Sequence, residues 1–200
     1  MKKTLLAILL ATLFPGAGRS LVVNVDHRLP ERWGVALKGG MAIPAGELAN
    51  FARSQAGVGA DLYYNLDRRF SLAASYQYVS MPYKATGSDQ PFSCNSLGAK
   101  ALLYVLRVSD FAAYLDAGLG LYLVNHAVVD PYALNAANRF NAQSQSDAGL
   151  GFLAGGGVEF SILPHFNVLA DMSLNSLNLG GGTGDNILFA VLAAGVKFGF

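Results

Sequence analysis

From residue 33 to residue 200 apolar side chains recur at every second position, in stretches bounded by Gly, Pro, Asn, Asp and Ser. A period of two belongs to strands, whose successive side chains point to opposite faces. Eight such segments are predicted, over 33–43, 56–66, 70–79, 97–106, 111–126, 149–162, 166–175 and 187–200.

One parity of these segments carries Trp33, Val35, Leu37, Val58, Leu62, Leu72, Leu97, Leu103, Phe152, Val168 and Leu192, and nothing charged. The other is rich in Gly, Ala, Ser and Asn and holds every charge within the segments: Lys38, Asp61, Lys100, Asp116, Glu159, Asp171 and Lys197. Which face is outward decides the class of protein. With the apolar face inward, the outer surface would be small residues and those seven charges, far below the roughly quarter to third that a water-facing surface carries. With the apolar face outward, it meets lipid. An eight-stranded barrel is then just wide enough inside to be filled by small and polar side chains.

Composition agrees. The 200 residues are 52% hydrophobic and 14% charged, against roughly 25% charge in ordinary soluble domains. Lys and Arg number 14 against 13 Asp and Glu, with no basic stripe, so nucleic acid is not an expected partner.

The connections alternate in length. Segments two and three are joined by "DRR", four and five by "RVSD", and six and seven by "LPH". The other links are longer and polar: "PAGELANFARS", "PYKATGSDQPFSCN", a stretch of about twenty residues over 127–147, and "LGGGTGD". Short turns on one rim and long loops on the other match outer-membrane barrels, with the short turns periplasmic. Trp33, Tyr64, Phe70, Phe111, Phe160, Phe166 and Phe200 fall at the short-turn rim as an interfacial girdle.

The start of the chain, "MKKTLLAILLATLFPGAGRS", has two lysines, an apolar run and then small residues. It reads as a secretory signal peptide over 1–18; the run is about half of the roughly 20 residues of a spanning helix. Residues 19–32, "RSLVVNVDHRLPER", form an extension before the barrel at 33–200, either periplasmic or tucked into the lumen. Cys94 is the only cysteine and has no internal disulfide partner.

Over nearly all of 33–200 the chain resembles the OmpA/OmpX-type small outer-membrane barrels. The resemblance implies an all-β, antiparallel, up-and-down, eight-stranded barrel integral to the outer membrane of a Gram-negative envelope. Its surroundings would be outer-membrane lipids and lipopolysaccharide. The ending, with Phe200 preceded at alternate positions by Phe198, Val196, Ala194 and Leu192, looks like the assembly signal of these proteins. The resemblance implies that the barrel assembly machinery reads this strand, while Lys197 points into the lumen.

The lumen charges are the candidate site. Lys38, Asp61, Lys100, Asp116 and Asp171 each lie five or six residues from the short-turn rim, near mid-membrane for strands rising about 3.3 Å per residue. Unpaired charges there are costly. Lys38 with Asp61 and Lys100 with Asp116 are expected as neighbouring-strand pairs, and Lys197 is expected to meet Glu159 or Asp171 across the lumen. A closed, salt-bridged interior gives a structural or surface-interaction protein with no enzymatic role. The competing class is a narrow channel for ions or small solutes.

Catalysis finds little support. The histidines are His27, His126 and His165. A lipid A deacylase of the barrel type would carry a His-x-Ser step, whereas the sequence reads His126-Ala127-Val128. A triad from His126, Asp130 and Ser144 or Ser146 has no support in its spacing. The glycine runs at 155–157 and 180–182 lack the Gly-Lys-Ser/Thr of a phosphate loop. Asp89, Asp130, Asp147 and Asp185 are scattered and read as solvated loop charges, so neither a metal nor a cofactor is expected. A monomer is expected. The long loops, 127–147 above all, are the natural contact surface, with adhesion, envelope anchoring, phage reception and immune evasion equally open.

Overall fold

The computed structural model describes residues 31–84, 91–134, 140–179 and 186–200. Eight antiparallel strands close on themselves in chain order: β1 (Trp33–Ala45), β2 (Gln55–Asn65), β3 (Phe70–Met81), β4 (Phe92–Val108), β5 (Phe111–Leu134), β6 (Phe140–Leu163), β7 (Phe166–Leu179) and β8 (Asn186–Gly199). Closure is made by β8 pairing with β1, from Gly34 opposite Gly199 to Ala45 opposite Leu188. No strand edge is left in the wall, so its backbone groups are satisfied without water. The predicted signal peptide and residues 19–30 of the predicted extension lie outside the described residues.

The alternation sets two unlike faces. Leu37, Val58, Leu97, Leu119, Phe152 and Met172 are exposed on the outside of the wall. Every described strand charge sits on the inward parity, where Asp61, Lys100, Asp116, Glu159 and Lys197 are buried.

Most strands run past the bounds that the sequence pattern indicated, three of them by five residues or more. β4 begins at Phe92, five residues before the predicted start, and β5 and β6 each extend over 24 residues. Their ladder continues through Asn125 opposite Ser146 to Val129 opposite Ala142, and after a register shift one further pair joins Leu134 to Phe140. Most of the expected 127–147 loop is therefore paired backbone. The predicted strands stopped where apolar alternation gave way to polar residues, but a ladder outside the membrane does not need an apolar face. Between β1 and β2 a single helical turn, α1 (Leu48–Phe51), stands where a loop was expected.

The interior also departs from expectation. It is not filled by small and polar residues alone. Toward the long-loop rim, Val79, Met81, Phe92, Tyr122, Val124, Leu177 and Phe189 form a buried apolar cluster. Leu48 of α1 and Tyr83 pack against it, and an isolated bridge ties Ala52 to Tyr83. Toward the short-turn rim a second cluster contains Tyr63, Leu102, Tyr104, Tyr114 and Leu169. The charged layer lies between these two seals.

Candidate functional site

Asp61 is the centre of the charged layer. Its Oδ2 lies 2.9 Å from Lys38 Nζ and 2.9 Å from Lys100 Nζ. The Tyr63 hydroxyl donates to the same oxygen at 2.7 Å, and Ser75 Oγ donates to Oδ1 at 2.6 Å. Strand geometry explains the meeting: Asp61 stands opposite Ser75 on β3, and Tyr63 is two residues along its own strand and so on the same face. Each carboxylate oxygen of Asp61 is thus supplied with donors, as a buried anion requires.

Each lysine reaches one further carboxylate. Lys38 Nζ lies 2.8 Å from Asp171 Oδ2, and Lys100 Nζ lies 3.3 Å from Asp116 Oδ2. Lys38 with Asp61 and Lys100 with Asp116 meet as the spacing suggested. The link from Lys100 to Asp61 reaches across β3, which presents only Ala73 and Ser75 between them. Asp171 meets Lys38 and not Lys197, because Lys197 lies nearer the short-turn rim.

Lys197 forms a separate site. Its Nζ is 3.0 Å from Glu159 Oε1 and 3.1 Å from the Tyr104 hydroxyl, which itself lies 3.0 Å from Glu159 Oε1. The ammonium stands 4.3 Å from the centre of the Tyr63 ring, where the ring face attracts a cation. Below it the Arg107 guanidinium stacks 3.7 Å over the Tyr104 ring. A register shift between Tyr104 and Leu106 turns Val105 and Leu106 both outward and returns Arg107 to the lumen side.

Above the charged layer, the Tyr122 hydroxyl donates to Asn175 Oδ1 at 2.9 Å. An internal cavity of about 20 Å³ lies here, lined by Lys38, Gln77, Lys100, Asp116, Asp171 and Asn175 among others. That is room for about one water molecule.

The tyrosines were not anticipated as members of the site. Their signal was present: Tyr63 shares the inward parity with Asp61, and Tyr114 with Asp116.

The remaining candidates separate. His126 Nδ1 lies 3.7 Å from Asp147 Oδ2 on the inward face, whereas Ser146 donates to Asn125 on the outward one. His126 and Ser146 therefore do not assemble. The Asp130 and Ser144 side chains, Asp89, Asp185 and the glycine run at 180–182 lie outside what is described, and Gly155–Gly157 lie within β6. No group of three or more metal-ligating side chains occurs among the described residues. At the end of the chain Leu192, Ala194, Val196, Phe198 and Phe200 all point outward, and Phe200 exchanges backbone hydrogen bonds with Trp33 at 2.9 and 3.2 Å.

Solved structures of similar fold include the following three. Neisserial surface protein A is 22% identical, with a TM-score of 0.55 over 84% of this chain and 97% of that one. A major outer membrane protein of Thermus thermophilus is 11% identical, with a TM-score of 0.52 over 84% and 99%. The attachment invasion locus protein of Yersinia pestis is 15% identical, with a TM-score of 0.50 over 84% and 99%. No curated protein sequence matches the chain. The pattern of the outer membrane protein beta-barrel domain matches residues 17–200. With its closed eight-stranded wall, apolar outside and charged inside, the chain belongs to the outer membrane protein beta-barrel family.

Proposed function

We propose that this protein is a closed scaffold in the outer membrane that presents the β5–β6 hairpin as a contact surface outside the cell. The observation that carries this reading is strand length. Each of the two strands has 24 residues, whereas crossing the membrane takes about 9–11. The excess is ten or more residues per strand, of which the unbroken ladder out to Val129 opposite Ala142 makes about eight pairs, roughly 25 Å of ribbon at about 3.3 Å each. β1 and β2, with 13 and 11 residues, have little to spare. A ladder that continues past the wall holds a binding surface more rigidly than a free loop.

The filled lumen supports the scaffold reading over the channel. A permeating ion would have to pass two apolar clusters and a paired charge layer, and the internal cavity has room for about one water. The outward apolar residues at the closing strand support assembly by the barrel assembly machinery and a monomer surrounded by lipid and lipopolysaccharide. The test is single-channel recording of the refolded chain in planar bilayers, beside whole-cell surface binding with residues 128–143 replaced by a two-residue Asn-Gly turn. Silence in the bilayer and loss of surface binding are expected. Steady openings of the native protein would overturn the scaffold reading in favour of the channel, and undiminished binding would remove the hairpin's role.

A further inference from the structure

The charged layer is one positive charge short. Its groups alternate in a chain from Asp171 to Lys38, Asp61, Lys100 and Asp116, two ammoniums against three carboxylates. The chain passes around the wall from β7 through β1, β2 and β4 to β5. It is interrupted only at β6, where the facing residues are Gly155 and Gly157.

The Asp116 carboxylate lies against that gap, and Asp171 borders it through its Cβ. A Cβ added at Gly155 would stand 2.8 Å from Asp116 Oδ1, and one added at Gly157 would stand 2.8 Å from Asp171 Cβ. The two glycines are about 6.6 Å apart along the strand, so the two aspartates border one stretch of wall from the flanking strands β5 and β7. No described cation lies between them. Asp116 is the less well held: its lysine contact is 3.3 Å, against 2.8–2.9 Å for the others, and its buried Oδ1 has no hydrogen-bond partner. Asp116 and Asp171 both line the water-sized cavity.

Around Asp116 stand Lys100 from β4, Asp171 from β7 and Lys38 from β1, with Tyr114 on its own strand and Ser75 and Gln77 of β3 lining the same cavity; Asp61 of β2 shares Lys100 with it. Glu159 of β6 and Lys197 of β8 neutralise each other nearer the short-turn rim. Two ammoniums leave one of three buried carboxylates uncompensated, and an uncompensated buried charge is strongly disfavoured.

We propose that the Asp116–Asp171 end of the chain binds one proton, carried on Asp116 Oδ1, so that the charged layer is neutral in the folded protein. The proton comes from solvent during folding, and no other bond changes. This goes beyond the scaffold reading and does not depend on it.

The test is infrared spectroscopy of the refolded full chain in dodecylphosphocholine micelles, which contribute no carbonyl absorption. A protonated-carboxyl band that shifts in D₂O is expected in the native protein and lost in both Asp116→Asn and Asp171→Asn. In urea unfolding, Asp116→Asn should keep the native midpoint, because an amide is a neutral isostere of the protonated acid. Asp61→Asn should lower it, since both lysines lose their central acceptor. Absence of the band in the native protein, its survival in both end variants, or an Asp116→Asn midpoint as low as that of Asp61→Asn would overturn the proposal. So would a midpoint that depends on sodium against choline at equal ionic strength and loses that dependence in Asp116→Asn; the missing charge would then be a bound cation.

Discussion

Replacing Lys38 with Met keeps most of the side-chain volume and removes one ammonium from the charged layer. The two carboxylates it contacts differ in what remains to them. Asp61 keeps Lys100 at 2.9 Å and the hydroxyls of Tyr63 and Ser75, so its anion stays compensated. Asp171 loses its only described ion pair, a 2.8 Å contact between side chains that are 9% and 6% exposed. Breaking a buried pair on one side typically costs about 3–5 kcal/mol, because a buried charge is left uncompensated. Lys38→Met should therefore be destabilised by about 3 kcal/mol or more. Adding Asp171→Asn removes the orphaned charge, and the double variant should regain at least half of the loss, a coupling of about 2 kcal/mol. The assay is reversible urea unfolding in lipid vesicles followed by fluorescence of Trp33, the single tryptophan. It stands on β1 beside the closing strand with its ring 4.7 Å from that of Tyr64. A loss below about 1 kcal/mol for the single variant, or a coupling below about 0.5 kcal/mol, would refute the view that this pair is held as a buried unit.

Phe92, almost fully buried in the apolar cluster at the long-loop rim, should cost about 3–5 kcal/mol when replaced by Ala, read as a lowered unfolding midpoint; a change under about 1 kcal/mol would show that this end of the lumen is loosely filled. In the turn between β2 and β3, the backbone N–H groups of Arg69 and Phe70 donate to Asp67 Oδ1 at 2.6 and 2.7 Å and hold this exposed carboxyl below its ordinary pKa. The turn's stabilisation is therefore present above the usual carboxylate range, near 3.9, and lost as the pH falls through the lower folded value. An NMR titration placing Asp67 at or above the ordinary value would contradict this.

What the sequence made legible follows from what the lipid demands. An outward face in hydrocarbon tolerates almost no polar group, so parity through the membrane band is nearly forced, and all eight strands and the inward sense of the seven charges could be read from alternation. Outside the band that demand ends. The strand residues from Phe92 to Ser96 and from Ala127 onward alternate poorly, and only the register with their neighbours shows that they pair. The lumen was partly legible for a related reason. Lys38 opposite Asp61, or Lys100 opposite Asp116, can be guessed from adjacent strands, but Asp171 chooses Lys38 through a register that spans β8, and no local pattern encodes it. The apolar seals were hidden by reading the inward parity as uniformly small and polar. Tyr63, Tyr104, Tyr114, Tyr122 and Phe189 stand on it beside glycines and alanines, because a barrel of fixed radius admits a large side chain on one strand only where facing strands carry small ones. The same complementarity accounts for Gly155 and Gly157: by carrying no side chain they leave room over β6 for Asp116 and Asp171. The residues that make the charge layer possible are thus partly those with no chemistry of their own.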